Sequence, residues 1–184
     1  MNSITYILYS DDAECCILID CGEYQTLESV LSSIGKRVAA VLLTHGHSDH
    51  IYGLRELIKV YPNVEIATLE CGHEEIKDSR KNLSYYHGYA FTIDYYCKRV
   101  LYDKEVLHFD GLDEIEVIAV PGHDKSCLAY KVGMNLFTGD AYIPGLNVFT
   151  KFPGGNRQQA NASREMLMKL EKDGYIIYCG HHTY

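Results

Sequence analysis

The chain lacks several features that would place it at a membrane or on nucleic acid. It has no apolar run long enough to cross a bilayer, and its N-terminus lacks the basic-then-apolar pattern of a secretory signal. Lysine and arginine total 17 against 25 aspartate and glutamate residues, and this acidic balance disfavours broad nucleic-acid binding. We therefore expect a cytoplasmic protein with a small-molecule substrate and no membrane or nucleic-acid partner.

The chain also lacks a disulfide framework and an internal boundary. Its seven cysteines show no C-x-x-C spacing, which indicates reduced, mostly buried thiols. No linker, repeat or low-complexity stretch divides the 184 residues, and this length is enough for one hydrophobic core. We expect a single domain over residues 1–184.

The most informative stretch that is present covers residues 44–50 and reads T-H-G-H-S-D-H. The apolar run 38–43 before it predicts a buried strand, and residues 51–60 after it predict a helix that ends before Pro62. Imidazole and carboxylate groups bind zinc, and they also suit iron and other divalent ions. Three histidines and an aspartate on one strand-to-helix loop therefore predict a metal site.

Three further candidate ligands each follow a glycine at the end of a predicted strand. Glycine permits the tight turn and close backbone approach that such a site needs. The three are His123 after strand 115–120 and Pro121-Gly122, Asp140 after strand 134–138 and Gly139, and His181 after strand 175–179 and Gly180.

Periodicity predicts the remaining elements. Residues 4–9 and 15–20 are typical of a hairpin, and residues 161–172 are typical of an amphipathic helix packed on the core. We also predict helices at 26–34 and 70–77 and a strand at 64–68.

The order of these motifs resembles that of the metallo-β-lactamase superfamily over nearly the whole chain. The resemblance implies an α/β fold, the αββα four-layer sandwich, with two mixed sheets between outer helices and the metals at one edge. The motifs are His45-x-His47-x-Asp49-His50, Pro121-Gly122-His123, Gly139-Asp140 and Gly180-His181.

The resemblance also assigns a role to each candidate ligand. His182 is adjacent to His181 and could replace it, but we prefer His181 because it follows Gly180. Asp20 lies in a turn that resembles the superfamily's early Asp-x-Gly turn, so we expect it to contact a ligand rather than a metal. The implied assignment is His45, His47 and His123 on the first metal, Asp49, His50 and His181 on the second, and Asp140 as the bridge.

Differences between subfamilies narrow the expected activity. True β-lactamases of this superfamily commonly carry cysteine where this chain has Asp140, and flavodiiron oxygen reductases usually carry a carboxylate where it has His47. The ligand set resembles the hydrolytic branch, especially the type II glyoxalases (hydroxyacylglutathione hydrolases). Lys151 lies near the place where those enzymes meet glutathione with a lysine, and Tyr142 is close to the expected metals, so both are predicted substrate contacts. Because the sequence stops at Tyr184, we expect the C-terminal domain that completes the glutathione pocket of those enzymes to be absent, which disfavours glutathione specificity.

We therefore expect a dinuclear hydrolase of a small ester, thioester or lactone. A metal-bridging hydroxide would attack, and Asp49 would orient it and pass a proton to the leaving group. The ligands favour two divalent ions, zinc first, with iron or manganese also suited. The alternatives are a mononuclear iron sulfur dioxygenase, a metal-dependent phosphodiesterase and a metal-binding module without turnover. A homo-oligomer is one way to complete the substrate pocket.

The tyrosine-rich segment 85–96 has two interpretations. It forms either an aromatic wall over the substrate or a half-buried surface or dimer contact. His73, His87 and His108 lack the strand-end glycine and are expected to be ordinary core or surface histidines.

Overall fold

The first half of the chain builds a mixed five-stranded sheet in the computed structural model, which describes residues 3–182. β1 is antiparallel to β2, and the other neighbouring strands are parallel. The carboxyl ends of β2 to β5 therefore lie at one edge. In spatial order the strands are β1 (Tyr6–Leu8), β2 (Cys15–Ile19), β3 (Arg37–Leu42), β4 (Glu65–Thr68) and β5 (Lys98–Val100).

The second half builds another five-stranded sheet, in the order β10-β9-β8-β7-β6. β10 is parallel to β9, and the other pairs are antiparallel. β7, β9 and β10 consequently run in the same direction and end at the same edge. The strands are β6 (Val106–Leu107), β7 (Ile115–Ala119), β8 (Leu128–Val132), β9 (Asn135–Gly139) and β10 (Ile176–Cys179).

Helices cover the outer face of each sheet. The Glu23 side chain caps the first helix by accepting from the backbone N–H groups of Gln25 and Thr26, and Asn156 caps the last by accepting from Gln159. The helices are α1 (Tyr24–Ile34), α2 (Ser48–Ile51), α3 (Leu54–Val60), α4 (Glu70–Ile76) and α5 (Arg157–Lys172), with a 3₁₀ turn at Ser84–His87.

The alternation of side chains along the strands divides the core into layers. In β2, Ile17 and Ile19 pack between the sheets, whereas Cys16 and Leu18 pack under α1 to α4. A third cluster joins the other face of the second sheet to Leu167 of α5. These layers confirm the αββα sandwich that the sequence predicts.

Several element boundaries differ from the prediction. The helix predicted at 51–60 is two helices, α2 and α3, that break at Gly53. A Cβ atom at Gly53 would lie 2.2 Å from the carbonyl oxygen of Gly22, so only glycine allows this approach. The last helix begins at Arg157 rather than at residue 161, because the Asn156 cap precedes it. β5, β6 and β8 were not predicted.

None of the helices within residues 3–182 combines the length and the apolar character needed to span a bilayer.

The contact at Gly53 can be tested by substitution. Gly53→Ala should lower the free energy of unfolding by about 1–3 kcal/mol, because the added methyl group forces the two backbone segments apart. Val60→Ala, at an exposed position of the same helix, should change it by no more than about 0.5 kcal/mol. Urea titration followed by circular dichroism measures both, and equal stabilities for the two variants would contradict the packing described here.

Candidate metal centre

The seven predicted ligands meet where the carboxyl ends of the strands converge. The loop after β3 and the helix α2 that follows it supply four of them, and the segments after β7, β9 and β10 supply one each. A hydrogen bond of 2.8 Å from the backbone N–H of Ser48 to the Asn82 carbonyl anchors this loop beside the start of α2. Their ligand atoms form three sets, each within 4.8 Å: His45, His47 and His123; His45, His50 and Asp140; and Asp49, His50 and His181.

The first set is made of imidazoles alone. His123 Nε2 lies 3.0 Å from His47 Nδ1, and His123 Nδ1 lies 2.8 Å from the Phe149 carbonyl oxygen. The Phe149 contact favours a proton on Nδ1 and leaves Nε2 for the cluster. Burial and the neighbouring histidines lower the pKa of His45 well below its usual value. His45 is therefore held in the neutral form that binds metals.

The set implied for the second metal consists of Asp49, His50 and His181 and is called the second set; it is more open and contains a carboxylate. His181 Nε2 lies 3.4 Å from Asp49 Oδ2, and His50 Nε2 lies 3.9 Å from the same oxygen. The side chains of Asp49 and His181 are partly exposed, whereas that of His50 is fully buried. This set therefore forms the solvent-facing side of the centre.

Asp140 lies between the two sets. Its Oδ1 is 3.4 Å from His50 Nε2 and 3.3 Å from His181 Nε2, and its Oδ2 is 3.6 Å from His123 Nε2. One carboxylate oxygen faces each set, as a bridging ligand requires. A Cβ atom at Gly180 would lie 2.4 Å from Asp140 Oδ1, so the glycine that precedes His181 makes room for the bridge.

The buried Asp20 carboxylate holds Thr44 and the His50 ring in place. Its Oδ1 accepts from the Thr44 backbone N–H at 2.7 Å, and its Oδ2 accepts from the Thr44 hydroxyl at 2.8 Å. Oδ2 also lies 2.7 Å from His50 Nδ1, which leaves His50 Nε2 directed at the cluster. Although burial opposes it, the carboxylates of Asp20 and Asp140 raise the pKa of His50 well above its usual value. Asp20 thus contacts the candidate ligand His50, as the sequence predicts.

The donor atoms themselves test whether a metal fits. Nε2 of His45 and His50 and Oδ1 of Asp140 are buried, and within residues 3–182 they make no hydrogen bond. Leaving such atoms unsatisfied is costly, whereas imidazole nitrogen and carboxylate oxygen are ligands of divalent first-row ions. The cluster therefore fits divalent metal binding.

A second pair of carboxylates, which the sequence reasoning missed, lies behind His47. Asp124 is buried, and its Oδ2 lies 3.7 Å from His47 Nε2 while its Oδ1 accepts from the Ser126 backbone and hydroxyl. Burial opposes ionisation, but the bonds from Ser126 and the nearby His47 lower the pKa of Asp124. An aspartate directly after a candidate ligand, His123, was the available signal.

Glu75 of α4 completes this pair. Burial, and then the Asp124 carboxylate, raise the pKa of Glu75 to about 8, while Lys125 Nζ, 3.6 Å from Glu75 Oε1, opposes the shift. At neutral pH Glu75 is therefore mostly protonated beside an ionised Asp124.

The two predicted substrate contacts are placed differently. Tyr142 is buried against α5, and its hydroxyl donates to Glu171 Oε2 at 2.6 Å. This packing speaks against a substrate contact, because the ring faces the third core cluster rather than the ligands. Lys151 is exposed on the loop beside Phe152, whose ring contacts His47 at 5.7 Å between centroids. Its substrate contact stays a prediction.

The structure also shows the surroundings of the other histidines and of the tyrosine-rich segment. His182 is exposed and belongs to none of the three ligand sets in the described chain, which favours His181. His73 is a core residue bonded to Tyr95 and to the Arg99 carbonyl, as expected of an ordinary histidine. In segment 85–96, most tyrosines are exposed and Phe91 packs against the helix-side core. Both interpretations of segment 85–96, the aromatic wall and the half-buried surface or dimer contact, stay predictions.

Comparison with known proteins identifies the family. The model of the metallo-beta-lactamase superfamily matches residues 2–181, so the chain belongs to that superfamily. Hydroxyacylglutathione hydrolases are among its curated relatives. That of Pectobacterium carotovorum subsp. carotovorum (strain PC1) is 27% identical over 183 residues, which cover 95% of this chain and 60% of the relative. That of Aeromonas salmonicida (strain A449) is 28% identical over 166 residues, which cover 90% of this chain and 56% of the relative. The chain thus spans somewhat more than half the length of these relatives.

Solved structures share the fold at lower identity. The BLEG-1 B3 metallo-beta-lactamase superposes with a TM-score of 0.86 at 22% identity, covering 98% of this chain and 87% of that one. TTHA1623 in a di-iron-bound form gives 0.82 at 22% identity, covering 98% and 88%. ETHE1 from Myxococcus xanthus gives 0.74 at 21% identity, covering 99% and 72%. These matches confirm the fold.

The role of Asp20 predicts an effect on metal affinity. Asp20→Asn keeps the shape and tolerates the positive backbone φ of 60° at this position, but an amide cannot accept all three hydrogen bonds. We expect metal affinity to fall roughly 10–100-fold, as measured by competition with a chromophoric chelator. Asp12→Asn, in an exposed turn, is the control, and an unchanged affinity in Asp20→Asn would refute the orienting role.

The raised pKa of Glu75 predicts a pH-dependent stability. Because the folded pKa lies above the unfolded value of 4.5, wild-type protein loses stability as pH rises from 5 to about 8. Glu75→Gln removes this loss, so its stability relative to wild type should increase by more than about 1 kcal/mol over that range. Urea unfolding of metal-depleted protein at pH 5 and pH 8 measures the difference. Glu14→Gln, at an exposed position, should show no such trend.

Proposed function

We propose that the chain is a metal-dependent hydrolase that holds two divalent ions, zinc first, and cleaves a small ester, thioester or lactone. The observation that carries this proposal is the placement of Asp140, with one oxygen toward His50 and His181 and the other toward His123. A single-metal site would not need a carboxylate that faces two separate ligand sets.

Two of the three sets of close ligand atoms support the proposed division of the ligands between the two ions. His45, His47 and His123 would hold the first ion, and Asp49, His50 and His181 the second, with Asp140 shared. Two divalent ions held by these residues would supply an activated water as the nucleophile and would polarise the carbonyl of the substrate. The names of the curated relatives support a thioester as the first substrate class to test.

The chain's own residues supply orientation and proton transfer. Asp49 is partly exposed at the open side of the centre, where its carboxylate can align the attacking water and then pass the proton to the leaving group. Asp20 and the Phe149 carbonyl fix the His50 and His123 rings through the nitrogens that face away from the cluster. The two ligand carboxylates neutralise only part of the charge of two divalent ions, so the centre stays electropositive in a chain of net charge −8. A centre with this positive charge would attract the oxygen of a substrate carbonyl.

The second candidate function is the iron dioxygenase, in which the first histidines and the bridging aspartate hold one iron. His45, His47, His123 and Asp140 are enough for such a site. The complete second set, Asp49, His50 and His181, favours the hydrolase, because a single iron would leave it without a role.

The hydrolase and the dioxygenase predict different effects of replacing His181, which only the hydrolase needs as a metal ligand. For the hydrolase, His181→Ala should reduce the metal content from two ions per chain to about one and lower kcat/KM for thioesters at least 100-fold. The matched control is His182→Ala, at the exposed neighbouring position, which should keep both values. Inductively coupled plasma mass spectrometry, on protein purified without chelator or added metal, counts the ions.

The outcome for the dioxygenase would be different. Wild-type protein would contain one iron per chain, consume oxygen with a persulfide, and keep both properties in His181→Ala. That combination would replace the hydrolase by the dioxygenase.

A further inference from the structure

A cavity of about 170 Å³ opens directly beside the metal centre, between His123 and Asp140 and the loop that follows β9. Its floor is these two candidate ligands, and its walls are Ile143, Leu146 and Val148 together with Phe149. A substituent of a substrate held at the metals would therefore enter this cavity.

The walls of this cavity are apolar although they face solvent. Leu146 is 51% exposed, Phe149 is 47% exposed, and Phe152, which packs on Phe149, is 37% exposed. Exposed apolar side chains are therefore grouped at this rim, as they are at a binding surface. Among the described residues that line the cavity, Asn147 is the polar side chain besides the two ligands, and no lysine or arginine contributes. A carboxylate or phosphate on this part of the substrate would find no cationic partner here.

The loop is also tied to the metal centre. The Phe149 carbonyl accepts from His123 Nδ1, and the Phe149 and Phe152 rings pack with centroids 4.7 Å apart. Phe152 in turn contacts the His47 ring. The apolar wall is thus fixed relative to two ligands of the first set, and a substituent seated on it would have a defined position relative to the reacting carbonyl.

We propose that this cavity binds an uncharged apolar substituent of about six to eight carbon atoms, so that the substrates are medium-chain or aryl thioesters and esters. The size follows from the volume, since a buried cavity of about 150 Å³ accommodates benzene. This inference rests on the proposed hydrolase and specifies its substrate class.

Two series of thioesters test the inference on metal-loaded protein. One varies the acyl group from acetyl to hexanoyl, phenylacetyl and succinyl with a constant thiol, and the other varies the thiol from methyl to hexyl with a constant acetyl group. Burial of each methylene should raise kcat/KM by about threefold to fourfold up to the size of the cavity. We expect at least a tenfold rise in one series, and little activity toward the charged succinyl thioester if the acyl group occupies the cavity.

Variants locate the effect in the cavity. Phe149→Ala should reduce the preference for the long substituent, measured as the ratio of kcat/KM for the hexanoyl and acetyl thioesters, at least fivefold. Leu146→Asp should abolish the preference, because it places a charge in the apolar wall. Tyr96→Ala removes an aromatic ring that is 96% exposed outside this cavity, and the preference should survive it.

A binding measurement separates the failure of this inference from the failure of the proposed function. Saturation-transfer NMR compares N-propylhexanamide with N-propylacetamide, which bind without being cleaved, on wild type and Phe149→Ala. If no thioester is cleaved but hexanamide binding is stronger and depends on Phe149, the hydrolase is wrong and the apolar site stands. If thioesters are cleaved without a length preference, or both amides bind equally in both proteins, the apolar cavity is not the substrate site.

Discussion

The hydrogen bonds of the Asp20 carboxylate are the interaction on which the centre depends. Asp20 follows β2, and its oxygens hold the Thr44 backbone and hydroxyl and His50 Nδ1. Hydrogen bonds to a charged group contribute about 1.5–3 kcal/mol each, so this buried carboxylate locks the ligand loop onto the end of the first sheet. The β2 end, the ligand loop and the start of α2 therefore behave as one unit, and the direction of His50 is set before any metal arrives.

Burial, together with the neighbouring charges, determines the pKa values of the histidines in the centre. His45 and His50 lie in the same desolvated cluster, yet their pKa values shift in opposite directions, because Asp20 and Asp140 face His50 while other imidazoles surround His45. The buried ligand atoms that make no hydrogen bond within residues 3–182 would be costly in a purely structural cluster. Behind them, the ionised Asp124 carboxylate lies near His47, and the protonated Glu75 lies next to Asp124. The first ligand set is thus held from behind, and the second set faces the solvent.

The candidate ligands and the apolar cavity belong to different parts of the fold. The candidate ligands lie at or just beyond the ends of strands, whereas the apolar wall of the cavity belongs to the loop between β9 and α5. Loops tolerate substitutions more readily than the strands that carry them. Substitutions in the cavity loop can therefore change substrate choice while the arrangement of the candidate ligands is kept. The hydrogen bond between His123 Nδ1 and the Phe149 carbonyl connects the cavity loop to the candidate ligands.

The sequence by itself determined the candidate ligands and most of the elements, because strand periodicity, strand-end glycines and clustered histidines are local patterns. The fold class followed from the order of these motifs, through its resemblance to the superfamily. It also indicated that Asp20 would support a ligand. Only the tertiary structure decided which groups share a space: the Asp124 and Glu75 pair comes from segments 49 residues apart, and Tyr142 turns toward α5 to reach Glu171. The break at Gly53 was equally hidden, since it arises from the approach of Gly22, which no local pattern records. Contacts between distant segments depend on how the layers pack, and a sequence pattern carries no measure of that.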